Sequence, residues 1–157
     1  VTPSISEAEL VPEKIQFASL DSLVITANLY HKNDSAPVIV LCHQARFNKY
    51  EYNVIAVSLW ERGYNCLAID QRSGGSMIEE FNETNIQALN KNLPVDYLDA
   101  EKDIVAAVNF AAKKYNRPVI LWGSSYSSTL SLYVSIDNPN VLAVVAFSPG
   151  DYFATEK

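Results

Sequence analysis

The chain has 157 residues, of which 48% are hydrophobic and only 19% are charged, and its formal net charge is -6. This composition favours a packed globular core and argues against disorder. The negative charge provides no basic surface for nucleic acid or an anionic membrane, and no apolar run approaches the roughly 20 residues that span a bilayer. The expected partner is therefore a small molecule.

The length fits one domain with a substantial core. Residues 1–12 contain Pro, Ser and Glu without periodicity, so we predict a lead-in segment there and a single domain over residues 13–157. Two strand-like runs follow, at residues 14–19 and 23–30, with polar turn formers between them. They predict an antiparallel hairpin at the start of the domain.

The middle of the chain has the pattern of a β-α-β unit. Residues 37–42 are a fully apolar run, typical of a central parallel strand, and the run ends at His43. Residues 52–62 have the apolar spacing of an amphipathic helix. Residues 65–69 form another buried strand, which ends at the carboxylate of Asp70.

Residues 71–94 are the longest segment in which we predict no regular structure. A loop of this length in a compact domain is usually functional or mobile, and we expect it to wall the substrate pocket. Residues 97–115 carry acidic side chains early and lysines late, which predicts a helix because these charges complement the helix dipole.

The last third of the chain predicts a strand at residues 119–122, a helix at 126–136 and a strand at 141–147. Four apolar strands that alternate with three helices indicate an α/β fold, a doubly wound and mostly parallel sheet with the N-terminal hairpin at one edge. Ligands of such sheets bind at the carboxyl ends of the strands. Four reactive side chains lie just beyond those ends, namely His43, Asp70, Ser125 and Asp151.

The segment 123–127, Gly-Ser-Ser-Tyr-Ser, lies between a predicted strand and a predicted helix. In the nucleophile elbow G-x-S-x-G, small residues allow a close strand-to-helix turn that exposes a reactive serine. Ser125 takes the nucleophile position, and Ser127 stands in place of the second glycine. The backbone N–H of Tyr126 would be one donor of an oxyanion hole. The alternative is a serine-rich turn that only caps the helix.

With these motifs in this order, the sequence resembles the α/β-hydrolase superfamily, and within it the dienelactone-hydrolase-like and small esterase group. The resemblance covers nearly the whole chain. It implies that Ser125 is the nucleophile and that the N–H of Gln44 or Ala45 is the second oxyanion donor. It also implies that His43 is the structural histidine that opens the oxyanion segment.

The resemblance extends to the acidic and basic residues of the site. Asp70 and Arg72 are similar to a family segment that shapes the site without entering the catalytic triad. Asp151 is similar to a less common placement of the triad acid. The family's chain order is Ser, then Asp or Glu, then His, but both histidines of this chain, His31 and His43, precede the serine.

The missing histidine predicts that the chain is a truncated portion of a longer hydrolase. The fold would then end after the strand at residues 141–147, which becomes an unprotected apolar edge. We expect that edge to pair with a missing segment or with another chain.

Three functions stay open at this point. The first is a serine hydrolase that cleaves an ester or a related acyl compound with a histidine supplied from elsewhere. The second is a non-catalytic hydrolase-fold protein that binds a small molecule or a partner. The third is a hydrolase in which His43 is the base. We expect no cofactor or metal, because the two histidines and the two cysteines offer no ligand spacing.

Overall fold

The computed structural model describes residues 10–153, which form a six-stranded mixed sheet flanked by four α-helices. The predicted lead-in lies mostly outside the described residues. The strands are β1 (Glu13–Ala18), β2 (Val24–Tyr30), β3 (Val38–Cys42), β4 (Asn65–Ile69), β5 (Val119–Ser124) and β6 (Val141–Phe147). The helices are α1 (Asn53–Glu61), α2 (Glu83–Asn90), α3 (Glu101–Tyr115) and α4 (Tyr126–Ser135).

The sheet has the order β1-β2-β4-β3-β5-β6. Strands β4, β3, β5 and β6 are parallel, whereas β1 and β2 form an antiparallel hairpin that joins β4 antiparallel at one edge. This topology confirms the predicted fold class, a mostly parallel α/β sheet with an N-terminal hairpin. It places the carboxyl ends of the four parallel strands along one rim.

Helices cover both faces of the sheet, as a doubly wound fold requires. Side chains alternate across a strand, so Ile39 and Leu41 of β3 pack on the side of α1, against Ala56. Val38 and Val40 of the same strand join the larger core formed with α3 and α4. All residues of β3 and β4 are buried, which explains why β3 is entirely apolar and β4 is apolar after Asn65.

The prediction that residues 71–94 lack regular structure was wrong, because α2 lies inside this segment. Asn82 caps the helix by accepting a hydrogen bond from the Asn85 N–H at 2.8 Å. Within the helix, the hydroxyl of Thr84 accepts a hydrogen bond from the Thr26 N–H of β2 at 3.0 Å. Residues 10–153 therefore contain four α-helices instead of the three predicted, and α2 is bonded to the hairpin through Thr84.

Strand β6 forms the second edge of the described sheet. Leu142 is 69% exposed and Phe147 is 49% exposed, and no strand within residues 10–153 pairs with the outer side of β6. Long apolar edges of this kind are templates for pairing with further chain. The partner of this edge stays a prediction. No helix among residues 10–153 is both long and apolar enough to cross a membrane.

Candidate functional site

Ser125 lies in a sharp turn between the last residue of β5 and the first residue of α4. Its backbone has φ 58° and ψ -128°, which is a strained conformation for a residue with a Cβ. The N–H of Ser125 donates to the Phe147 carbonyl at 2.9 Å. Its carbonyl accepts from the N–H of Ser128 at 3.0 Å and from the hydroxyl of the same residue at 2.6 Å. These contacts hold the strained turn at the carboxyl rim of the sheet.

Ser127 occupies the position where the resembled motif has its second glycine. Its hydroxyl is fully buried, donates to the carbonyl of His43 and accepts from the side-chain amide of Gln71 at 2.7 Å. A serine is therefore tolerated there because both roles of its hydroxyl are satisfied inside the protein. The same contacts tie the start of α4 to the segments that follow β3 and β4.

The three predicted oxyanion donors differ in whether their N–H groups already form hydrogen bonds. Tyr126 is the first residue of α4, so its N–H has no partner within the helix. The N–H of Gln44, by contrast, donates to the Glu51 carboxylate at 2.9 Å, and the Gln44 side chain donates to the same group at 2.7 Å. Within residues 10–153 no acceptor is bonded to the N–H of Ala45. Of the two alternatives for the second donor, the N–H of Gln44 is therefore engaged and that of Ala45 is not.

Glu51 is a residue that the sequence interpretation missed. It lies in the short 3₁₀ helix Lys49–Tyr52 before α1, and burial raises the pKa of its carboxyl group. Its hydrogen bonds fix the conformation of the segment that carries Ala45. No pattern in the sequence indicates this role, because an acid at a helix start usually faces solvent.

His43 is fully buried, and both of its ring nitrogens are engaged. The N–H of Gln71 donates to Nε2 at 2.9 Å, so Nδ1 carries the proton and donates to the Gln44 carbonyl at 2.8 Å. Burial lowers the pKa of His43, which keeps the ring neutral. His31, the second histidine, bonds to the hydroxyl of Tyr115 at 2.8 Å. Neither histidine forms a hydrogen bond with Ser125.

Asp70 lies just beyond β4 and is fully buried. Its carboxylate accepts hydrogen bonds from the Lys49 N–H at 2.8 Å, from the Lys49 ammonium at 3.0 Å and from the Glu83 N–H at 2.9 Å. It therefore joins the segment after β3 to the start of α2. Both oxygens of the Asp70 carboxylate accept hydrogen bonds in these three contacts, which gives the residue a structural role.

Arg72 is fully buried beneath the same rim. Its guanidinium bonds to Asp103 of α3 at 2.8 and 3.1 Å and to Asp21 of the hairpin turn at 2.7 and 2.8 Å. The hydroxyl of Ser19 donates to Asp103 at 2.7 Å. Arg72 thus links the hairpin, the loop after β4 and α3. Its guanidinium forms no hydrogen bond with Ser125.

The ion pair with Arg72 makes stability depend on pH. Hydrogen bonds from Arg72 lower the pKa of Asp21 from 3.8 to about 2, so the unfolded chain binds more protons than the folded one in this range. The resulting stabilisation is complete above about pH 5 and is lost as the pH falls through 2. We expect the free energy of unfolding to fall less between pH 5 and pH 2 in Asp21→Asn than in the wild type, in urea titrations. The exposed Glu61→Gln variant should retain the full wild-type fall, and equal falls in all three proteins would contradict this account.

Asp151 is exposed, and no polar group within residues 10–153 bonds to its carboxylate. The structure does not bring it together with Ser125. The next residue, Tyr152, is the one that approaches the serine, with 3.1 Å between its hydroxyl and the Ser125 Oγ. Sequence reasoning missed Tyr152, because a tyrosine in a loop after a strand has no distinctive pattern.

A cavity of about 350 Å³ opens between the segments that follow β3 and β4. Arg46, Ser73, Met77 and Tyr97 contribute to its lining. The ring of Tyr97 stacks on the ring of Tyr126 with centroids 4.3 Å apart. The hydroxyl of Ser73 forms a hydrogen bond with the hydroxyl of Tyr126. The cavity therefore adjoins the residue that follows Ser125.

Solved structures with the same architecture identify the fold. The chain superposes on the α/β hydrolase GrgF from Penicillium sp. sh18 with a TM-score of 0.66 and 19% identity, over 87% of this chain and 45% of that one. It superposes on the dienelactone hydrolase from Anabaena variabilis ATCC 29413 with a TM-score of 0.63 and 20% identity, over 86% of this chain and 62% of that one. The chain has the α/β-hydrolase fold. The predicted likeness to dienelactone hydrolases and esterases is confirmed at the level of the fold.

Two curated proteins resemble this chain in sequence. It is 25% identical over 154 residues to the polyketide transferase ATR5 of Stachybotrys chlorohalonatus strain IBT 40285, which covers 93% of this chain and 47% of that protein. It is 29% identical over 147 residues to the thiohydrolase apmlB of Arthrinium phaeospermum, which covers 87% of this chain and 43% of that protein. The chain thus spans less than half the length of these relatives. No family model matches it.

Proposed function

We propose that this α/β-hydrolase chain carries the nucleophile of a serine hydrolase that cleaves an ester or thioester through an acyl-enzyme on Ser125. The observation that supports this most is the strained backbone of Ser125, which combines φ 58° with ψ -128° at the junction of β5 and α4. Strain of this kind persists only where surrounding contacts enforce it, and it concentrates at functional sites. The thiohydrolase and polyketide transferase relatives, together with the esterases of the same fold, support acyl transfer as the reaction class.

In the proposed mechanism, the Ser125 Oγ forms a bond to the carbonyl carbon while its proton passes to a histidine base. The carbonyl electron pair moves onto oxygen, and the N–H groups of Tyr126 and Ala45 stabilise the oxyanion. Collapse of this intermediate expels the alcohol or thiol, which takes the proton from the histidine. Water then releases the acyl group by the same steps in reverse, and the cavity beside Tyr97 would hold the acyl chain.

The base has to come from outside residues 10–153, because His43 and His31 are engaged elsewhere. A histidine carried by further polypeptide, paired with the open edge of β6, would meet this requirement. The length of the curated relatives, which exceeds twice the matched part, is consistent with such a segment. Asp151 stays the proposed acid of this triad.

The test is an intact-mass spectrum of the full-length protein with and without a fluorophosphonate probe. We expect a single adduct that maps to Ser125, and we expect Ser125→Ala to lose it completely, because the hydroxyl is the only proposed site of reaction. The matched control is Ser135→Ala, which removes a half-buried serine from the other end of α4 and should retain the adduct. An adduct that survives in Ser125→Ala would exclude Ser125 as the nucleophile.

A second function is favoured by the same engaged histidines. A hydrolase-fold protein without a base would bind a small molecule in the cavity beside Tyr97 or a partner at β6, without turnover. In that case neither the wild type nor Ser135→Ala would form an adduct, although both would be folded. The two functions are therefore separated by one experiment.

A further inference from the structure

The hydroxyl of Tyr152 lies 3.1 Å from the Ser125 Oγ, within hydrogen-bond distance. Tyr152 is 43% exposed, so its ring lies at the surface of the site and its hydroxyl is available to the serine. Within residues 10–153 it is the only side chain whose polar atom bonds to the Ser125 hydroxyl. The mechanism described above makes no use of this contact.

Three features of the segment after β6 hold Tyr152 in this place. The hydroxyl of Thr129 in α4 donates to the Gly150 carbonyl at 2.8 Å and accepts from the Gly150 N–H at 3.1 Å. Phe153 is only 2% exposed, because its ring is inserted into the core beside Tyr133. The segment is thus bound on both sides of Tyr152.

Gly150 also makes room for the tyrosine ring. A Cβ at this position would lie 2.8 Å from Cε2 of Tyr152, closer than carbon atoms approach without displacement. Any other residue at position 150 would therefore push the ring away from its place beside Ser125. The glycine, the threonine bond pair and the buried phenylalanine all favour one position of the Tyr152 hydroxyl.

We propose that Tyr152 is a further catalytic residue, whose phenol donates a hydrogen bond to the Ser125 Oγ as negative charge develops on it. This inference rests on the proposed hydrolase function. The proton balance of acylation is unchanged: the Oγ proton passes to the histidine base, the Oγ–carbon bond forms, and Tyr152 keeps its own proton. A hydrogen bond to a charged oxygen is stronger than one to a neutral hydroxyl, so the contact stabilises the transition state more than the ground state.

The same contact also allows the opposite hypothesis, in which the ring of Tyr152 covers Ser125 and obstructs substrate binding. The two readings predict opposite signs when the residue is changed. A donor accelerates acylation, so its removal slows the reaction. An obstruction delays acylation, so its removal speeds the reaction.

The test measures the rate of fluorophosphonate inactivation of the full-length protein as a function of probe concentration. We expect Tyr152→Phe to lower the maximal inactivation rate on the order of 10- to 100-fold, with unchanged half-saturating probe concentration and unchanged melting temperature. Tyr152→Ala should be at least as slow. Tyr64→Phe is the control for removal of a tyrosine hydroxyl at the opposite rim of the sheet, and it should react like the wild type.

Each outcome decides the inference. A faster reaction in Tyr152→Ala or Tyr152→Phe, an unchanged rate, or a change confined to probe affinity or melting temperature would overturn it while leaving the hydrolase function intact. Absence of an adduct in the wild type would overturn the hydrolase function and this inference with it. The two failures are therefore distinguishable.

Discussion

Replacing Gly123 with alanine is expected to destabilise the protein by about 3 kcal/mol and to abolish the reactivity of Ser125. A Cβ at Gly123 would lie 2.5 Å from the Ser127 carbonyl oxygen and 2.7 Å from Cα of Ser128. Both are backbone atoms of α4, so neither can rotate away. The helix would have to move off β5, and the turn that presents Ser125 would change with it.

The measurement combines urea unfolding with fluorophosphonate labelling of the Gly123→Ala variant. Gly63→Ala is the matched control, because a Cβ at position 63 would meet no atom within 4 Å. The backbone of Gly63 has φ +98°, so this substitution introduces backbone strain without a clash. We expect it to cost only about 1–2 kcal/mol of backbone strain and to leave labelling of Ser125 unchanged. Equal effects of the two substitutions would show that close packing at the strand-to-helix junction is not what limits position 123.

Replacing Arg72 with methionine is expected to destabilise the protein by about 3–5 kcal/mol, because the buried Asp103 carboxylate would lose its ion-pair partner. Both side chains of this ion pair have no exposed surface. The Ser19 hydroxyl and the backbone N–H of position 72 would still donate hydrogen bonds to the Asp103 carboxylate. These neutral donors do not replace the positive charge of the guanidinium. The loss should be measured as the free energy of unfolding in urea.

The double variant Arg72→Met with Asp103→Leu provides the matched comparison. Apolar residues of similar volume often replace a buried ion pair at little cost, so we expect the double variant to recover most of the lost stability. The exposed Lys113→Met change on the same helix as Asp103 controls for loss of positive charge and should stay within about 0.5 kcal/mol of the wild type. If the double variant is no more stable than Arg72→Met, an unpaired Asp103 is not the source of the destabilisation.

The sequence by itself determined the layered sheet and the position of the strained serine. The strands β3 and β4 are buried on both faces, so β3 is entirely apolar and β4 is apolar after Asn65, and both can be recognised without the structure. The sharp turn at Ser125 was predictable because it is a local feature, with a strand, small residues and a helix in immediate succession. Features that depend on neighbours in sequence were therefore predictable.

The tertiary structure decided what surrounds the serine. A hydrogen bond from Thr26 holds helix α2 against β2, and the Glu51 carboxylate engages the N–H of Gln44. The contact of Tyr152 with Ser125 depends on how the segment after β6 folds back over α4. Each of these features is set by the distance and direction between groups that packing brings together, and neither quantity is present in the order of residues along the chain.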